Sequence, residues 1–132
     1  MTTFPSRALF KAIADCPRLS DDAVPDGDEA KWEGIAPLPP LGELDGRSDF
    51  AQVRVAWSHA GLWVCERVPK TDGAIAVNRR NPQSGDGLQV WIDTRATQTS
   101  HRATRFCHHF VLLPRGGGDG RLDPAGWQSN IR

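Results

Sequence analysis

Between Gly85 and Arg95 the chain reads Gly-Asp-Gly-Leu-Gln-Val-Trp-Ile-Asp-Thr-Arg, a glycine-bounded turn that opens into a run of residues alternating in character. On an extended backbone Leu88, Val90 and Ile92 fall on one side and Gln89, Trp91 and Asp93 on the other. That period of two predicts a strand whose aliphatic side forms a buried face. Three other runs carry the same signature. Residues 50–57 and 62–68 alternate cleanly on either side of Ser58-His59-Ala60-Gly61, the pattern of a hairpin with a short glycine-containing turn. Residues 106–113 form the fourth run, ended by Pro114 and the triplet Gly116-Gly117-Gly118.

What lies between these runs is broken by turn formers. Pro17, Pro25, Pro37, Pro39 and Pro40 bar regular helix and central strand from 16 to 49. Within that stretch Asp26-Gly27 followed by Trp32 predicts a turn and a short amphipathic piece whose indole anchors the loop on the core. Residues 7–14 fit an edge strand, with a short helix as the alternative. From 115 to 132 no period is visible, so a loosely structured tail is expected, with Trp127 as its one large apolar anchor. Strands joined by long loops without helical periodicity indicate an all-β chain, an antiparallel β-sandwich of jelly-roll or immunoglobulin-like type, in a single domain over 1–132. Four clear strands fall short of the roughly seven that a two-sheet sandwich uses. Either the sandwich is incomplete at its C-terminal end or a sheet edge is left open for a partner chain.

Sixteen basic and sixteen acidic residues cancel, so no overall field favours nucleic acid or an anionic membrane, and a neutral partner is expected. No apolar run approaches the roughly 20 residues of a membrane span, and the N-terminus lacks the apolar core of a secretory signal. The expectation is a cytoplasmic protein, or a secreted one if the N-terminus is incomplete. Cys16, Cys65 and Cys107 are odd in number and far apart, the usage of buried free thiols rather than of a disulfide framework.

The turn Asp26-Gly27 with Trp32, the hairpin from Val53 to Val64 and the stretch from Gly85 to Asp93 follow one another in an order that resembles the family 9 carbohydrate-binding modules and the related DOMON-like ligand-binding domains. The resemblance spans roughly residues 22–114. It implies a non-catalytic β-sandwich that binds a small neutral sugar, of the kind attached to glycoside hydrolases, with structural calcium in some members. Gln89 then stands where the family carries a hydrogen-bonding acidic residue, and Gln83 at or near the family's sugar-stacking tryptophan. The family's second stacking aromatic is reduced to Trp127. A pyranose offers an apolar C–H face to an aromatic ring and hydroxyls to planar polar groups. On that chemistry Trp91, Gln89, Trp63, Arg54 and His109 are the candidates for the outward face, with Gln83 beside them. The rival reading is a structural or protein-interaction β-sandwich that has lost its sugar site.

Other constellations are weaker. Asp86 and Asp93, with the early group Asp21, Asp22, Asp26 and Asp28, offer the hard oxygens calcium prefers, without EF-hand spacing. His101, Cys107, His108 and His109 lie close in sequence, but on a strand Cys107 and His109 share a face and His108 takes the other, so no zinc spacing arises. A DOMON-type haem site pairs Met with His, and the single methionine is Met1. Ser100-His101 and Cys107-His108 are neighbours that a strand sends to opposite faces, which leaves no nucleophile with its base and hence no expected catalysis.

Overall fold

The computed structural model describes residues 13–22, 27–40, 42, 46–69, 73–96 and 102–129. The chain is all-β: among the described residues there are five strands in two antiparallel sheets, with only short 3-10 turns besides. It divides into two compact units, Met1–Thr71 and Asp72–Arg132. Most of the 7–14 segment, read as an edge strand or helix, lies outside the described residues.

The first unit is built on the predicted hairpin, β1 (Gln52–Ser58) and β2 (Gly61–Arg67), paired in full register from Gln52 opposite Arg67 to Ser58 opposite Gly61. A buried hydroxyl locks the turn. Ser58 Oγ accepts hydrogen bonds from the Ala60 amide at 3.2 Å and from Trp63 Nε1 at 3.0 Å. The register puts Arg54, Ala56 and Ser58 on one face with Cys65 and Trp63. Over that face runs the 3-10 turn Glu29–Trp32, capped by Asp28, whose carboxylate accepts from the Ala30 amide. Glu29 pairs with Arg67 at 2.9 Å and the Ile35 carbonyl accepts from Arg54 Nε at 2.9 Å. Between these anchors Trp32 is 5% exposed, so the expected indole anchor forms, and with Ala56 it makes the unit's core. Burying an indole contributes on the order of 3 kcal/mol, against a backbone ordering cost of about 1–2 kcal/mol per residue, so the indole holds the short turn only together with the anchors on either side. The outer edge of β1 is occupied: Pro17 and Leu19 bond to Trp57, and Leu38 to Val53.

The second unit is a sheet of order β3 (Leu88–Asp93), β4 (Cys107–Gly117), β5 (Asp123–Ser129). β3 has the bounds its alternation predicts. It is nevertheless an edge strand, and β4, paired on both sides, is the hub of the sheet. The loose tail expected from 115 is corrected by the end of β4 and the whole of β5. Pro114 does not stop the strand, because β3 begins only opposite Leu112 and the β5 pairing shifts register between Leu113 and Gly117, so no ladder needs its missing N–H.

The buried face is also corrected. Leu88, Val90 and Ile92 are only half-buried, whereas Val111 and Leu113, each 2% exposed, lie on the face of Gln89 and Trp91. That face is closed at its Leu113 end by the segment leading into β3. Arg79 Nη1 donates to the Gly116 carbonyl at 2.8 Å, and Ala76 exchanges backbone and side-chain bonds with Asp86. Gly85 and Gly87 permit the crossing: a β-carbon at Gly85 would meet the Ala76 carbonyl at 2.7 Å, and one at Gly87 would meet Leu113 Cδ2 at 2.7 Å.

Candidate functional site

At the other end of that face no described segment crosses the sheet. The register sets Trp91 opposite His109 and His109 opposite Ser129, so three strands contribute one row of side chains. The Trp91 and His109 rings stack with centroids 4.4 Å apart and planes 3° from parallel. Gln89, two residues before Trp91 and on its face, meets His109 Nε2 through Oε1 at 2.9 Å. As an amide oxygen only accepts, His109 is the donor and carries its proton on Nε2. The Gln89 N–H groups have no partner among the described residues. Trp91 is 59% exposed even though one face of its indole rests on His109. The opposite face therefore looks into solvent, past the outer edge of β3.

The sequence candidates thus separate. Gln89, Trp91 and His109 come together in the Asp72–Arg132 unit. Gln83 belongs to the same unit, exposed in the 3-10 turn Pro82–Ser84. Arg54 and Trp63 belong to the Met1–Thr71 unit and are engaged there, Arg54 with the Ile35 carbonyl and Gln52, Trp63 with Ser58. Asp86 and Asp93, the calcium candidates, are turn carboxylates: Asp86 accepts from the Ala76 amide at 2.7 Å and Asp93 from the Arg95 amide at 2.9 Å. Of the early acidic group, Asp21 pairs with Arg18, Asp28 caps the 3-10 turn, and Asp26 lies outside the described residues. Among the described residues no three His, Cys, Asp or Glu side chains gather to hold a metal.

All three cysteines are free, Cys65 and Cys107 half-buried and Cys16 exposed against the expectation of burial. Burial pushes the Cys65 thiol above its ordinary value against the lowering field of Arg54, which keeps it protonated and a poor nucleophile. Burial likewise raises the Glu66 carboxyl.

Sequence reasoning missed a second feature of the same unit, a hollow of about 400 Å³ at the far end of β4 and β5. Thr104, Arg105, Cys107, His108, Gln128 and Ser129 line it. Its wall is the turn from Thr104 to Cys107, stitched by the Cys107 amide to the Thr104 carbonyl at 2.9 Å and by Thr104 to the Cys107 sulfur at 3.4 Å. Gln128 Nε2 donates to His108 Nδ1 at 2.9 Å on the other side of β4. Four of these six residues come from β5 or from a turn that no alternation marks, so only the crowding of His and Arg between 101 and 109 pointed this way.

No protein-family model, curated protein or solved structure matches this chain.

Proposed function

We propose that the Asp72–Arg132 unit binds a small neutral sugar on the open face of Trp91, without catalysing a reaction on it. One observation carries the reading: a large indole left 59% exposed in the middle of a strand, yet fixed in plane by its stack on His109, which Gln89 fixes in turn. An exposed ring with nothing to bind gains little from such support. A ring meant to receive the apolar face of a pyranose gains a great deal, since the ordering cost is met before the guest arrives. The amide of Gln89 supplies hydroxyl donors on the same side of the sheet. The resemblance to family 9 modules supports a sugar as guest, and fold-level likeness alone would be a weak warrant without the platform. Binding through one ring and few polar groups implies millimolar to high micromolar affinity.

The test is a fluorescence titration of the protein and its Trp91→Ala variant with neutral mono- and oligosaccharides. The expected result is a saturable change in the parent that the variant lacks, and a several-fold weaker response in His109→Ala, where the indole loses its backing. Absence of a saturable response to every sugar at millimolar concentration refutes the proposal.

A further inference from the structure

The balanced charge of the whole chain conceals an uneven distribution. The Met1–Thr71 unit has eight basic and eleven acidic residues, a balance of −3, and the Asp72–Arg132 unit eight basic and five acidic, a balance of +3. The excess is concentrated. From Thr94 to Gly118 there are four arginines and no Asp or Glu.

Two of these arginines share one ring. The guanidinium of Arg95 lies 3.8 Å and that of Arg105 4.8 Å from the centroid of Phe106. Each cation gains on the order of 0.5–1 kcal/mol from the ring quadrupole at an exposed site, but the two repel each other. Among the described residues neither is paired with a carboxylate. Arg105 also lines the hollow at the end of β4 and β5. The turn that carries it is held at both ends, so its backbone is fixed before any ligand arrives. Around it stand hydroxyls from Thr104 and Ser129 and the amide of Gln128. A volume of about 400 Å³ is that of a small-molecule site.

We infer that this hollow is a binding site for a small oxyanion, held by the Arg105 guanidinium with Thr104, Gln128 and Ser129 as further hydrogen-bond partners. It is distinct from the sugar platform, since none of Trp91, His109 and Gln89 lines it. The inference stands whether or not a sugar binds. A guanidinium fork pairs with carboxylate, phosphate or sulfate oxygens in two parallel bonds, and an anion held by Arg105 offsets the positive charge that Arg95 adds on the same ring.

Backbone-amide NMR titrations with sodium acetate, inorganic phosphate and sodium sulfate, each against sodium chloride at the same ionic strength, test this directly. At least one oxyanion should give saturable shifts at residues 104–108 and 128–129 that chloride does not. Arg105→Gln should weaken that binding at least tenfold. Arg105→Lys, which keeps the charge but not the fork, should weaken it less for phosphate than for acetate. Should Arg105→Gln fail to fold, Arg105→Lys carries the test by itself. Shifts that chloride reproduces, or binding that both variants leave intact, overturn the inference.

Discussion

The two units put the same kind of residue to opposite uses. In the hairpin unit two of the three tryptophans are committed to structure: Trp32 is 5% exposed in the capped 3-10 turn and Trp63 donates to a buried serine, while Trp57 is 41% exposed under the Arg18 guanidinium. In the three-stranded unit Trp91 is 59% exposed, and its neighbours His109 and Gln89 are tied to it and to each other. Polar groups follow the same division. Arg54 in the first unit serves a backbone carbonyl, whereas Arg105 in the second faces a hollow. The difference teaches that an aromatic alternating along a strand says little about use, and that what its polar neighbours bond to says more.

Four substitutions test the contrast. Trp32→Ala should have the largest effect, a loss of about 3–5 kcal/mol in denaturant unfolding, because it removes a large side chain that is 5% exposed and leaves a cavity. Ser58→Ala should cost about 1–2 kcal/mol, since two donors lose one shared acceptor, and its intrinsic fluorescence should shift as Trp63 is released. Trp91→Ala should cost under about 1 kcal/mol, the value of one ring pair. A loss as large as that of Trp32→Ala would mean that Trp91 is structural and would erase the contrast.

The smallest effect concerns Glu66 and its sign is fixed by burial. Its carboxyl is raised above the ordinary 4.5, so the folded chain holds the proton after the unfolded chain has released it. Below that value both states are protonated and burial of the group is not opposed. As pH rises past it the unfolded chain ionises first, and stability declines until the folded carboxyl ionises as well. Glu66→Gln should therefore melt higher than the parent at pH 7 and match it near pH 4; equal melting temperatures at both would show that the group is fully solvated.

Much of the scaffold was legible because local pattern and pairing agree. Residues 50–57 and 62–68 alternate on either side of a short glycine-containing connection, which predicted the hairpin, and the pairing of Ser58 with Gly61 then sets its register. β5 was not legible. It contains Pro124 and Gly126 and little aliphatic character, and it is a strand because β4 presents a free ladder to it, with Trp127 opposite Val111. The face assignment failed for a related reason: alternation fixes which residues share a side, but the partner strand and the covering segment decide which side closes. At the site, Gln89 and Trp91 could be placed on one face by counting. Their meeting with His109 depends on a register set across the β3–β4 connection, and the hollow on a strand that sequence did not reveal.

Gly85 and Gly87 have a practical consequence for anyone wishing to retarget this molecule. At either position even a methyl group would collide with neighbouring atoms, so a randomised library spanning them would be spent largely on misfolded clones. Gln83, exposed in the preceding 3-10 turn, bears no such restriction, and diversity introduced there leaves the entry into β3 untouched.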